Sequence, residues 1–145
     1  MNTLYTLGYG SMEQALVVSA VKARGALLVD TRYSPFSRLA EWRRGVLEKA
    51  LGAQYAWVQA LGNANYKGAL GEDKGIVIYL PDEGVKYVSR RLLEREVILL
   101  CACKDLHTCH RLVAAELVRE ACGCELVHLR ESDLVMWQGG QRRLF

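Results

Sequence analysis

The run VILLCAC, residues 97–103, constrains this chain more than any other stretch. All of its residues are apolar, and no polar residue alternates with them. A strand with one wet face alternates. An uninterrupted run suits a strand in a sheet covered on both faces, as in parallel sheets packed between helices. The rest of the chain must then supply covering helices and crossover connections.

It does. LYTLG (4–8) reads as a short buried strand, and Gly8 and Gly10 bracket Tyr9 in a turn. Ser11 is expected to cap a helix, with Gln14 as its capping-box partner. Met12, Leu16, Val17, Ala20 and Val21 repeat at helical spacing, and Gly25 supplies the stop. ALLVDTR (26–32) is a second strand, giving a right-handed β-α-β unit. After a loop at 33–38, a helix is expected over 38–51, with Leu39, Trp42, Val46, Leu47, Ala50 and Leu51 inward and Gly52 at its end. YAWVQAL (55–61) reads as a strand and 62–75 as a glycine-rich loop. IVIYL (76–80) fits a strand or a helix lead-in equally. Pro81-Asp82 opens a helix carrying Val85, Val88, Leu92 and Leu93. Thr108 is expected to cap a helix from Cys109 to about Ala121. CELVHL (124–129) is the last strand, and the tail from 131 to 145 shows no clear element. The fold class is therefore α/β: a single three-layer domain over 1–145, with a mostly parallel sheet flanked by helices. The strand order is not readable.

Size and composition agree. A chain of 145 residues buries roughly two thirds of its unfolded surface, so it needs no staple. The net charge of +3 is mild and singles out no partner. No basic start followed by a long apolar run marks a secretory signal. No stretch approaches the ~20 apolar residues of a membrane span. A cytoplasmic protein without a membrane partner is expected. Its five cysteines, at 101, 103, 109, 122 and 124, are then expected as thiols, ligands or a redox pair. Richness in Arg, Glu, Val and Leu, with few Asn, leans toward a thermophile.

In open parallel sheets, ligands bind beyond the carboxyl ends of the strands. Three strands deliver polar groups there. The first gives Tyr9 and Ser11. The second gives Asp30 and Arg32, then Ser37 and Arg38. The third gives Cys101, Cys103 and the loop to Cys109-His110-Arg111. At the first turn of its helix, Cys109 meets unpaired N–H groups and the positive end of the macrodipole. That place favours a thiolate or a bound phosphate. The bland alternative is a small apolar residue under a helix start. Helix phase puts Arg111 on one half with Glu116, Arg119 and Glu120, and His110 on the apolar half, so His110 is expected toward the sheet and Arg111 toward its rim. His110 could orient Asp30 or tune Cys109. Arg32, Ser37 and Arg38 make a fork for an oxyanion; a plain Asp30–Arg32 salt bridge is the competing reading. Trp42 and Trp57 read as core. Tyr66, in the glycine-rich loop, is the aromatic that stands apart.

Cys101, Cys103, His107 and Cys109 could ligate a metal, but the spacing is not that of a paired Cys-x-x-Cys knuckle. No metal and no cofactor is therefore expected. A Cys103–Cys109 disulfide across the loop is a further option, and Cys122 and Cys124 are expected to pack, with a bridge between them as the alternative in a thermophile. A cysteine-phosphatase loop requires Cys, five residues, then Arg. Cys109 and His107 occupy that place counted from Cys103 and Cys101. No glycine-rich phosphate loop with Lys-Ser/Thr occurs.

From near its start to about residue 129 the chain resembles the domain-of-unknown-function 488 family. The resemblance rests on YTLGYGS (5–11), on Asp30, Arg32, Pro35, Ser37 and Arg38, and on Trp42, Tyr55 and Leu61-Gly62. GVKY (84–87), LLCAC…CHR (Cys101, Cys109, His110, Arg111) and His128 complete it. The family's usual glutamate is Cys103 here, and its Gly-Gly-Arg-like run departs around Gly62–Lys67. The resemblance implies no activity. The strand-Asp-x-Arg and strand-Cys-helix arrangement is similar to rhodanese-like sulfurtransferases in layout, not in sequence.

The leading expectation is an anion site for a phosphate-bearing ligand, a nucleotide or nucleic acid, whether or not catalysis follows. Arg32, Arg38 and Arg111 would hold the ligand with Tyr9, Ser11 and Ser37. Cys109 or Cys101 would be the nucleophile, and Asp30 or His110 the proton carrier. The alternatives are a thiol enzyme of sulfurtransferase or redox type, a non-catalytic nucleic-acid module and a structural metal domain.

Overall fold

A computed structural model describes residues 1–103 and 109–142, with side chains described to residue 138. The strands are β1 (Leu4–Gly8), β2 (Leu27–Asp30), β3 (Tyr55–Trp57), β4 (Val97–Cys101) and β5 (Leu126–His128). The helices are α1 (Gln14–Arg24), α2 (Arg44–Leu51), α3 (Pro81–Leu92), α4 (His110–Cys122) and α5 (Glu131–Arg142). The strands form one sheet in the order β3-β2-β4-β1-β5, and every pairing is parallel. No helix among the described residues is long and apolar enough to cross a membrane.

The apolar run sits where its composition demands. Every residue of β4 is fully buried, with β1 on one side and β2 on the other. Its side chains alternate between two cores. Ile98 and Leu100 join Tyr5, Leu7 and Leu28 beneath α1, α2 and α5. Val97 and Leu99 join Leu4 and Val29 beneath α3 and α4. Each such fully buried side chain is worth ~1.5–3 kcal/mol relative to exposure.

This order positions the site. β2 and β4 are neighbours, yet the chain leaving β2 runs to α2 on the first face, and that leaving β4 runs to α4 on the second. A crevice between their carboxyl ends follows, which is where such sheets bind ligands. The register places Gly8 beside Cys101 and Asp30 beside Leu100, so three strand ends finish level.

Several local expectations change. Ser11 does not cap α1. A tight turn, in which Met12 N–H donates to the Tyr9 carbonyl at 2.6 Å, delays the helix to Gln14, and Glu13 takes the cap position without a side-chain bond. The helix expected over 38–51 divides into a 3₁₀ turn (Ala40–Trp42) and α2. Leu39 and Val46 are exposed, while Trp42, Leu47 and Leu51 are buried. The third strand stops at Trp57 and gives way to a 3₁₀ turn at Gln59–Leu61. Residues 76–80 contribute one antiparallel bridge, Ile78 to Asn63, and lead into α3. Leu93 lies beyond α3 and is exposed. β4 ends at Cys101, before Cys103. Cys109 itself caps α4, its sulfur accepting from Arg111 N–H; Thr108 lies outside the described residues. The tail, expected to be irregular, forms α5. Its Leu134 is fully buried, and Trp137 packs edge-on against Tyr5 at 5.2 Å.

Candidate functional site

Asp30 is fully buried at the end of β2, and a buried carboxylate requires partners. Arg32 supplies them. Its Nε donates to Oδ1 at 2.9 Å, its Nη2 to Oδ2 at 2.6 Å and its backbone N–H to Oδ1 at 3.1 Å. Tyr55 Oη donates to Oδ2 at 2.6 Å. Burial opposes the Arg32 charge, yet the Asp30 bonds and charge outweigh it, and the guanidinium is held cationic. Arg32 Nη1 then donates to Tyr9 Oη at 3.1 Å, and Tyr9 stacks on Trp42 at 3.9 Å. Asp30 is thus a buried anchor. It reaches no cavity wall and is not placed as a proton carrier.

Between these strand ends, His110 Nε2 lies 2.9 Å from the Thr31 carbonyl. A carbonyl only accepts, so Nε2 carries the hydrogen and Nδ1 keeps its lone pair. Thr31 Oγ1 donates to the Leu100 carbonyl at 2.8 Å and accepts from the same Nε2–H at 3.1 Å. Burial lowers the His110 pKa and favours the neutral ring. Nδ1 faces Cys109 Sγ at 3.9 Å.

The third group is a thiol cluster. The sulfurs of Cys101, Cys103 and Cys109 lie within 4.8 Å of one another, and those of Cys101 and Cys109 are 2.7 Å apart. Arg111 packs beneath them, only 4% exposed. Its Nη1 donates to Cys101 Sγ at 3.1 Å and to the Cys103 carbonyl at 2.8 Å. Arg111 therefore lies on the buried stripe of α4 with Ala114, Ala115 and Val118, not on the outer half that the helix phase indicated. The strand end beside it provides the space. At Gly8, a Cβ would stand 1.8 Å from the Cys103 carbonyl oxygen and 2.4 Å from Arg111 Nη1.

Among the described residues no carboxylate pairs with Arg111, and its buried Nε has no hydrogen-bond partner. A buried cation calls for an anion, and the sulfurs are what the site offers. Burial opposes the Arg111 charge, but the Cys101 sulfur outweighs it. Three adjacent thiols cannot all ionise. Hydrogen bonds to Cys103 and then Cys109 push the Cys101 thiol up. Cys109 gains from Cys101, but Cys103 and burial raise it on balance. Cys103 accepts from both, and its thiol is pulled far below the ordinary range, with the Arg111 charge assisting.

A cavity of about 440 Å³ opens above this floor. Tyr9, Arg32, Ser37, Arg38, His110 and Cys103 line it together with Gly10, Tyr33, Ser34, Phe36, Asn63, Tyr66 and Ala102. Of the residues expected at the site, Tyr9, Arg32, Ser37, Arg38 and His110 reach the cavity wall. Cys101, Cys109, Arg111 and Asp30 lie buried beneath it, and Ser11 is exposed outside its lining. Ser37 Oγ accepts from Leu39 N–H at 3.1 Å. Phe36 was missed altogether, and no sequence signal separates it from an ordinary loop aromatic. From the sequence, Cys103 reads as a group at the strand edge, a ligand option, a candidate disulfide partner of Cys109 and the departure from a family pattern, but not as the nucleophile; its position two residues beyond a buried strand cysteine is the signal for the wall thiol.

The three sulfurs are the donor set that a thiophilic metal would use; His107 lies outside the described residues. Zn–S bonds of ~2.3 Å in a tetrahedron hold two sulfurs ~3.8 Å apart. The 2.7 Å between Cys101 and Cys109 is well short of that, and Arg111 already occupies Cys101. Two unbonded thiols also stand farther apart than 2.7 Å, so the three sulfurs within 4.8 Å of one another remain a donor set that a thiophilic metal could use.

Fold and site together define a single parallel α/β domain with an arginine-backed thiol cluster at the carboxyl edge of its sheet. Compared with protein-family models, curated proteins and solved structures, the chain matches none significantly.

Proposed function

We propose that this chain is a thiol enzyme of the sulfurtransferase or redox type, with Cys103 as the nucleophile toward a small molecule held in the cavity. One observation carries the reading. Of the three cluster cysteines, Cys103 is the one that lines the cavity and is half-buried, while Cys101 and Cys109 are 0% and 1% exposed. The reactive thiol moves accordingly from Cys109 or Cys101 to Cys103. Buried thiols beneath it donate, Arg111 balances the charge, and a thiolate is the reactive form of cysteine. The resemblance to the domain-of-unknown-function 488 family belongs to this proposal, with Cys103 taking the position of that family's glutamate. A reducing, cytoplasmic setting also belongs to it.

Alkylation with iodoacetamide, mapped by mass spectrometry, tests the reading. Cys103 should react near neutral pH at least tenfold faster than Cys122, and its rate should stay level from roughly pH 6 to pH 8, where an ordinary thiol titrates. A rate equal to that of Cys122, or a rise through that interval, contradicts it.

A second reading, binding of a phosphate-bearing ligand, is favoured by Arg38, Ser37 and Tyr66 at the same wall. It is weaker than the sequence suggests, because Arg32 is neutralised by Asp30 and Arg111 by sulfur. Calorimetric titration with AMP separates the two readings. For a nucleic-acid module, binding of DNA or RNA without turnover would fall steeply with salt.

A further inference from the structure

Cys101 and Cys109 remain unexplained by a single nucleophile. Two buried thiols at 2.7 Å with a third sulfur inside 4.8 Å are more than one alkylating thiol requires. We propose that the substrate is an organic disulfide, and that Cys101 and Cys109 are the resolving pair in which the two transferred electrons originate. This rests on the thiol-enzyme reading and selects its redox branch.

The chemistry balances in three exchanges, each an attack of a thiolate on a disulfide sulfur. The Cys103 thiolate attacks one sulfur of R–S–S–R′, breaking that bond; a mixed Cys103–S–S–R disulfide forms and R′–S⁻ leaves. Cys109 passes its proton to the His110 Nδ1 lone pair, 3.9 Å from its sulfur, and attacks Cys103 Sγ. A Cys103–Cys109 disulfide forms, and R–S⁻ leaves with that proton as R–SH. Cys101, which shares the closest sulfur contact with Cys109, then attacks Cys109 Sγ. Its own proton goes to the leaving R′–S⁻, the Cys101–Cys109 disulfide remains, and Cys103 departs as a thiolate. The substrate disulfide is reduced by two electrons and the protein pair is oxidised by two. The return runs through Cys103: its thiolate attacks Cys109 Sγ, freeing Cys101, and a dithiol reductant from outside then attacks Cys103 Sγ, freeing Cys109 and leaving as its own disulfide with Cys103 a thiolate.

The geometry assigns the order. Only Cys103 meets the cavity, so it must take the substrate first. Burial keeps the pair from reacting with substrate directly. The last exchange frees Cys103 as the anion, leaving a counter-charge for Arg111, whose Nη1 is 2.8 Å from the Cys103 carbonyl. Arg38, Phe36 and Tyr66 around the cavity suit an R group that is aromatic and anionic.

Dithiobis(nitrobenzoate), an aromatic anionic disulfide, is the direct probe. It is added in equimolar amount to the reduced full chain carrying Cys122→Ser and Cys124→Ser. The expected result is release of two thionitrobenzoate anions per chain, no residual adduct mass, and a Cys101–Cys109 link in the peptide map. Cys109→Ser should release one anion and retain the adduct on Cys103. Cys101→Ser should stop at a Cys103–Cys109 link. Rapid release of one anion with a persistent Cys103 adduct in the parent chain overturns this inference and leaves the thiol-enzyme reading standing. Slow reaction of all three thiols overturns both. Should Cys109→Ser fail to fold, the parent chain's stoichiometry and peptide map decide alone.

Discussion

Gly8 shows how a single missing atom shapes the site. Its Cβ would fall 1.8 Å from the Cys103 carbonyl oxygen, a backbone atom that cannot swing aside. Gly8→Ala must therefore move the chain leaving β4, at a cost of ~1–3 kcal/mol. Urea midpoints should show this loss, and Cys103 alkylation should slow with it. Asp30 tests the opposite case, a buried charge with too many partners to lose. Asp30→Ala strands Arg32 and should cost ~3–5 kcal/mol, whereas Asp30→Leu with Arg32→Met should recover most of that. A double variant no more stable than the single one would contradict this account. His110 gives the pH dependence. Burial depresses its folded-state pKa, while the unfolded chain titrates near ~6.5. Its contribution is thus complete above that value and is lost as pH falls through the folded-state value. His110→Gln should flatten the acid limb of a stability–pH curve measured by chemical denaturation.

At the scale of elements, α4 and α5 differ in how far the sequence discloses them. The extent of α4 was legible to within a residue or two, with Thr108 expected as the cap where Cys109 takes that place, and with Gly123 in the left-handed conformation at φ +70° closing it. What helix phase misjudged was its buried face. Arg111 was counted with the charged residues, although Arg111, Ala114, Ala115 and Val118 form one stripe at spacings of three and four. Charge was taken as evidence of exposure, and a buried thiol partner reversed that. α5 has no strong periodicity of its own and carries Gly139 and Gly140, so its helicity depends on packing. Leu134 is fully buried, Gln138 Nε2 donates to the Leu16 carbonyl at 3.1 Å, and Arg24 lies over the Trp137 ring at 4.7 Å. Leu134→Ala should therefore cost ~2–5 kcal/mol, read as a lower Tm. A change below half a kcal/mol would mean that α5 is a loosely held appendage.

For the whole molecule, two cores lie on opposite faces of one five-stranded sheet, and β4 contributes to both. Neither core can dissolve without exposing the backs of the same strands. Unfolding should accordingly be a single transition. Fluorescence of the tryptophans, which belong to the first core, should coincide with the helical circular dichroism signal. Separate midpoints would show the halves to be independent.

The sequence by itself determined the class of fold, the alternation of strands and helices, and the strand ends where chemistry gathers. Those rest on local signals: an unbroken apolar run, helical periodicity, and glycine or proline at the breaks. It could not determine the order β3-β2-β4-β1-β5 or which thiol meets solvent. It also left undecided that Asp30 neutralises Arg32 and that Arg111 turns inward over Gly8. Each depends on the register that brings the ends of β1, β2 and β4 level, and register is set by the packing of two cores at once. Only the tertiary structure therefore decided that Cys103 forms the wall of the cavity and that Cys101 and Cys109 lie paired beneath it.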